Sequence, residues 1–303
     1  MRDLPSGVLV LDKPAGLTSH DVVDGVRKVL GTRRVGHAGT LDPDVTGVLV
    51  ICVGEATRLL EFAAAEEKQY EGVIAFGRAT DTDDAAGRVV AEADASRLDE
   101  AAVRQAATAL VGDVEQTVPL YAAVRVGGKR LYEYARSGEP VEPPVRRVRV
   151  DELAVLWFRP GVMAEAGFHV RCSKGTYVRA LCRDWGRLAG VPAHMRSLRR
   201  TASGHFQIGE AVDFEWWRRS SNPAAYLLPP VEALRGWPRI TVTEEEAAKL
   251  AQGQRVSSGA RVPVGSLAAC VSPSGELVAV VQMEGPPGAR RLRPKKVFWK
   301  KER

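Results

Sequence analysis

The feature that most constrains how this chain can fold is the stretch GHAGTLDPDVTGVLVICVG, residues 36–54. Glycines, small polar residues and Pro43 give way without a break to six consecutive apolar residues, Val48 to Val53. An apolar run of that length bounded by turn residues reads as a buried strand, and the segment before it as the loop that enters it. The loop carries two carboxylates, Asp42 and Asp44. Each is either punctuation or chemistry, and propensity alone does not choose between those roles.

The surrounding elements follow from the same reading. GVLVLDKPAGLTSHDVVDGVRKVLG (7–31) is strand, turn and helix, with Thr18 or Ser19 as the cap, an apolar stripe of Val22, Val23, Val26, Val29 and Leu30, and Gly31 as the stop. Residues 56–67 read as a short helix. Residues 68–80 read as one strand, 81–87 as a turn and 88–93 as the antiparallel partner. Residues 98–112 give an amphipathic helix ended by glycine. Residues 121–138 give a Gly-Gly hairpin turn followed by a short helix. Strands follow at about 146–158 and 167–172, then a helix opened by Thr176. The pattern breaks near 229–240. Beyond it Thr243 and Glu246 match a capping box, followed by short strands and turns. The expectation is an α+β chain: a mixed, largely antiparallel catalytic domain over 1–237 and a small β-rich domain over 238–303.

Composition narrows the function. An apolar fraction of 45% allows a substantial core, and no segment approaches the ~18 consecutive apolar residues of a membrane span. The start MRDLPSGVLV has no signal-peptide core, so a cytoplasmic location is expected. Cys52, Cys172, Cys182 and Cys270 form no CxxC pair and read as buried free thiols. The net charge of +6 is gathered in four clusters, at 31–36, 143–150, 195–204 and 289–303. The last contains Phe298 and Trp299, free to stack. Together the clusters point to a nucleic-acid partner. No P-loop, GxGxxG, HExxH or GxSxG motif is present, and the histidines show no metal-ligand spacing. Any chemistry here would run without a metal or cofactor, on carboxylates, tyrosines and arginines.

Five stretches in order resemble the bacterial tRNA pseudouridine-55 synthases of the TruB family: LDKPAGLTS (11–19), GHAGTLDPDVTGVL (36–49), KQYEGVIAFGRATDTDDAAG (68–87), SKGTYVRALCRDWG (173–186) and HMRSLRRTASG (194–204). The C-terminal part resembles that family's RNA-binding PUA domain. The resemblance implies isomerisation of one uridine in the T loop of tRNA to pseudouridine, on a flipped-out base. Redox change, cofactor, metal and guide RNA play no part in it, and the enzyme is expected to act as a monomer.

The resemblance also assigns residues that, read alone, have ordinary roles. Asp42, by itself a turn former before Pro43, falls on the family's nucleophile, attacking either uracil C6 or ribose C1′. Arg179 falls on the arginine that pairs with it. A cation in the first turn of a helix opposes the dipole by a few tenths of a kcal/mol or more, so a nearby anion would offset it. Tyr70 falls on the tyrosine that stacks on the uracil. Tyr177 and Leu198 fall on positions lining the base pocket, Asp84 on an acid that orders it, and His37 on a histidine contacting the RNA. Gly36, Gly39 and Gly47 would allow close approach of an RNA backbone. Lys13 and Pro14 shape the loop beneath.

The basic clusters predict that RNA binding weakens steeply between about 50 and 200 mM salt, because phosphate contacts release counterions. A titration series at several salt concentrations checks this. A flat dependence would remove the basic surface as the binding face.

Overall fold

Why Val48 to Val53 carries no polar alternation is visible in what covers it. In the computed structural model, which describes residues 5–286 and 288–299, β1 (Gly7–Lys13) and β3 (Thr46–Val53) pair antiparallel near one end of a ten-stranded sheet. Leu49, Ile51 and Val53 point to one face, into a core built with helices. Val48, Val50 and Cys52 point to the other face, into a second core. A strand buried on both faces needs apolar residues at every position.

The main sheet is assembled from distant segments. β2 (Val35–His37) flanks β3. β4 (Lys68–Phe76) runs antiparallel between β11 (Glu165–Cys172) and β12 (Ala193–Ser203). β10 (Val145–Arg159) and β7 (Gly112–Thr117) complete that side. β13 (Phe206–Gln207) pairs with β12, and β14 (Val212–Asp213) lies parallel to β1. Most pairings are antiparallel, but β12 meets β3 in parallel. Two hairpins stand apart: β5 (Arg78–Thr80) with β6 (Val89–Glu92), and β8 (Arg125–Val126) with β9 (Lys129–Arg130).

Helices α1 (Ser19–Leu30), α3 (Glu100–Thr108) and α5 (Val178–Leu188) cover the first face. Trp185 on α5 is fully buried, packs edge-on against Phe76 and Phe168, and donates its indole N–H to Val103 O. The second face is closed by α2 (Leu60–Ala63), the 3-10 turns around it, and a five-stranded C-terminal sheet. That sheet has the order β15 (Arg239–Thr241), β17 (Leu267–Val271), β18 (Leu277–Glu284), β19 (Arg291–Val297), β16 (Val256–Ser257). Val271 and Val280 of the C-terminal sheet share a core with Val8, Val50 and Leu234. Each such side chain contributes roughly 1.5–3 kcal/mol when buried.

Several local expectations hold and several are corrected. Thr18 caps α1 through a capping box with Asp21, and Gly31 ends it in the left-handed region. Residues 131–137 form α4 after the Gly127–Gly128 turn. Thr243 and Glu246 form the capping box that opens α7 (Glu244–Ala251), after the single-turn α6 (Phe214–Trp217). All four cysteines are free and buried.

Residues 68–80 are not one strand. They break at Gly77, whose φ of 95° and lack of room for a Cβ, which would lie 2.7 Å from Val162 O, suit only glycine. β4 therefore joins the sheet while β5 turns off into its hairpin. Residues 56–67 hold a 3-10 turn and one helical turn rather than a continuous helix. α3 stops before Ala109, and Gly112 opens β7 instead of ending the helix.

Two of the three glycines expected to admit RNA, Gly47 and Gly36, admit the protein's own chain. A Cβ on Gly47 would stand 2.2 Å from Arg200 O, and one on Gly36 would stand 2.6 Å from the Leu60 side chain. Phe298 and Trp299 do not stand free either. Phe298 packs into the shared core under the Arg58 guanidinium, 4.7 Å from its ring centre, and Trp299 packs on the core of the C-terminal sheet. The end of that basic cluster, residues 300–303, lies outside the described residues.

Gly47 combines φ 105° with backbone contact to Arg200. Gly47→Ala is expected to cost more than about 2 kcal/mol of stability, since strained φ alone costs of order 1–3 kcal/mol. Urea unfolding of the variant against wild type measures it.

Candidate active site

The loop between β2 and β3 has few partners within regular structure, and its backbone groups are met by side chains. The Ser19 hydroxyl accepts from Leu41 N at 2.8 Å and donates to Leu41 O at 3.0 Å. The Lys13 ammonium donates to Pro43 O at 2.8 Å, and also to Pro14 O and Leu17 O. Gly16 N donates to the same Pro43 carbonyl. Arg200 donates to Val48 O at 2.6 Å, Gly39 O at 3.1 Å and Thr40 O. Ser19, Lys13 and Arg200 are all buried. The residues immediately before and after Asp42 are thus each held by a buried donor, which satisfies carbonyls that water cannot reach.

Asp42 projects from this held loop with its side chain 42% exposed. Its Oδ2 accepts from Arg179 Nε at 2.9 Å, and the arginine side chain is only 5% exposed. The same guanidinium reaches Asp84 Oδ2 at 3.4 Å and donates to Thr82 O and Tyr121 O. The guanidinium fork is therefore shared among two carboxylates and two carbonyls. Asp84 is oriented in turn by Thr82 Oγ1 at 2.6 Å and Ala86 N. Arg179 stands in the first turn of α5. The N-cap there is Tyr177, not Thr176, whose hydroxyl donates to Ser173 O instead.

A cavity of about 280 Å³ opens above the pair, with Asp42, Tyr70, Tyr177, Arg179 and Leu198 in its wall. That is at the small end for ligand sites and suits a single base. Tyr70 is buried on β4, opposite Arg200 of β12. Burial pushes its phenol above the usual value, so the ring meets the cavity as a neutral group. Lys68 also lines the cavity, and burial pushes both Lys68 and Lys13 down to about 8.

Five of the residues singled out from sequence thus share one wall. Asp84 stands behind Arg179, outside the wall, and His37 lies off it, at the end of β2. The Nδ1 of His37 is buried without a partner, and burial holds its pKa below the ordinary histidine value. Asp44 is exposed. Among the described residues no group of three or more His, Cys, Asp or Glu could hold a metal ion.

Sequence reasoning missed Ser19 and Arg200 as supports of the loop. In sequence Arg200 falls within the basic cluster 195–204. The signal was in the period-two pattern of LRR, where Leu198 and Arg200 share the inward face of β12. Arg199, pointing the other way, pairs with Asp12.

Comparison with known proteins fits this architecture. The model for the N-terminal domain of TruB family pseudouridylate synthases matches residues 27–178. Those for the tRNA pseudouridylate synthase B C-terminal domain and the tRNA pseudouridine synthase II C-terminal region match 179–222 and 237–299. The chain belongs to the TruB family. It is similar to tRNA pseudouridine synthase B of Symbiobacterium thermophilum, at 51% identity over 82% of each chain. The Geobacillus thermodenitrificans protein of the same name is 43% identical over 96% of this chain and 99% of its own. The fold also matches a chain in a crystal structure of a Cbf5-Nop10-Gar1 complex, with TM-score 0.73 and 26% identity over 98% of this chain and 86% of that one. A chain of an H/ACA RNP bound to a substrate RNA shares the fold at TM-score 0.74 and 24% identity, over 99% and 87%. This TruB-family chain is a pseudouridine synthase, an isomerase, with a PUA-like C-terminal domain.

Burial raises the Asp42 carboxyl above its ordinary 3.8, with Arg179 opposing the shift and Asp84 adding to it. A raised folded pKa means that the folded state holds this proton more tightly than the unfolded chain. The contribution of Asp42 to stability is therefore full below pH 3.8 and is lost as pH rises through the folded value. Asp42→Asn removes that loss. The stability of the variant relative to wild type is expected to rise as pH increases from about 4, read by denaturant midpoints across pH.

Proposed function

We propose that this chain isomerises uridine 55 in the T loop of tRNA to pseudouridine, with Asp42 as the nucleophile toward a base flipped into the cavity. The observation that carries the reading is the Asp42–Arg179 ion pair at 2.9 Å beneath a base-sized cavity walled by Tyr70, Tyr177 and Leu198. The names of the relatives, tRNA pseudouridine synthase B, support tRNA as the substrate.

The reaction breaks the N1–C1′ glycosidic bond, joins C1′ to C5, releases the C5 proton and returns a proton to N1. No electrons are gained or lost. A carboxylate held ionised by a buried guanidinium can add to C6 of the uracil or to C1′ of the ribose, and either adduct lets the base rotate before it is rejoined. Stacking on the neutral Tyr70 ring contributes roughly 1–3 kcal/mol, against the few kcal/mol that extracting the nucleotide costs. Asp84 orients the guanidinium from behind. Residues 238–303 add a PUA-like RNA-binding domain to a catalytic domain over 1–237. On this reading the protein acts in the cytoplasm as a monomer, on tRNA alone and without a guide RNA.

Release of tritium from 5-³H-uridine in T-arm RNA tests the assignment. Asp42→Asn is expected to lower the rate by at least about a thousandfold, as loss of a nucleophile does, while RNA binding persists. Release at the wild-type rate would reject Asp42. An absence of pseudouridine after treatment with excess wild-type protein would favour an RNA-binding role without turnover.

A further inference from the structure

Tyr177 occupies the N-cap of α5 without a side-chain cap of its own. Its backbone is gripped by Gln116, which lies on β7 and is 3% exposed. Tyr177 N donates to Gln116 Oε1 at 3.1 Å, and Gln116 Nε2 donates to Tyr177 O at 3.3 Å. That carbonyl also accepts from Leu181 N. The orientation of the amide is determined, because flipping it would set donor against donor and acceptor against acceptor. The side chain of Gln116 pairs with Tyr177 as a neighbouring strand would.

The residues that follow Gln116 are fastened to the same helix. Thr117 O accepts from Arg183, and Tyr121 O accepts from Arg179. Gln116 does not line the cavity, whereas Tyr177 does, and Arg179 stands two residues further on. We propose that Gln116 is a positioning residue for the isomerisation: its amide fixes the start of α5, and through it the guanidinium of Arg179 against Asp42 and the ring of Tyr177 at the cavity wall. The proposal rests on the assignment of Asp42 and Arg179 as the reacting pair.

Two substitutions test it. Gln116→Met keeps the volume and loses both hydrogen bonds. Its kcat is expected to fall about tenfold to a hundredfold, the scale of a small misplacement of catalytic groups. In an Arg179→Lys background the same change is expected to cost little more, because groups acting as a unit are not additive. Gln116→Glu carries a second signature. A neutral carboxyl has both the acceptor and the donor that Tyr177 needs, and a carboxylate has only acceptors. Burial raises its pKa, so the ratio of its kcat to wild type at the same pH is expected to climb as pH falls from about 8 to 6. Hydrogen exchange at the Tyr177 amide is expected to quicken in the Met variant.

Wild-type kcat in Gln116→Met, equal factors in both Arg179 backgrounds, or a pH-flat ratio for Gln116→Glu would each overturn the proposal. Should the Met variant not fold, the pH ratio of the Glu variant decides alone. If wild type shows no turnover, the function assignment has failed, and the Tyr177 exchange still reports on the Gln116 contact.

Discussion

The arrangement of this molecule depends on a buried arginine at the wrong end of a helix. Arg179 stands in the first turn of α5, where the helix dipole disfavours a cation, and it is almost completely removed from water. A charge in that position persists only if anions and carbonyls surround it. Asp42, Asp84, Thr82 O and Tyr121 O supply them from three separate segments. The arginine therefore gathers the loop before β3, the acidic turn after β5 and the chain leaving β7 around one point. Asp42 bears a share of the cost, since burial raises its carboxyl while Arg179 holds it down. Asp42 is thus paired with a buried cation while part of its side chain still faces the cavity.

The loop that carries Asp42 is rigid for a related reason. It contributes carbonyls rather than a regular ladder, and the protein answers with buried donors: Lys13, Ser19 and Arg200. These donors come from β1, from the first residue of α1 and from β12, strands and a helix that the two cores hold in place. Gly47 lets β12 approach closely enough for Arg200 to reach through. The basic character of HMRSLRRTASG is thus partly internal scaffolding, and two of the cations lining the cavity, Lys68 and Arg200, spend their hydrogen bonds on the protein's own backbone.

Much of this was legible in the residues. Apolar patterning and turn chemistry located α1 with its cap at Thr18 or Ser19, the helix of residues 131–137, the box at Thr243 and Glu246, and the strand through Val48 to Val53. Failures came where a distant segment overrode local propensity. The strand splits at Gly77, where Val162 O leaves room for no Cβ, and Phe298 is partly covered because the C-terminal sheet shares a core with β1 and β3. Tyr177 replaces Thr176 as the N-cap because Gln116, 61 positions away, supplies the backbone partners that a local side chain would otherwise provide.

By itself the sequence determined most of the elements, the α+β class and the family, because periodicity, capping and ordered motifs are local and survive without tertiary knowledge. It also favoured Asp42 over Asp44, but only by the company of other motifs. The tertiary structure alone decided that Asp42, Tyr70, Tyr177, Arg179 and Leu198, scattered over more than half of the chain, meet at one cavity. It alone decided what an inward arginine such as Arg200 holds, the carbonyls of Gly39, Thr40 and Val48. Those outcomes depend on which strand lies beside which, and neither helical nor strand periodicity encodes the pairing of β12 with β3 and β4.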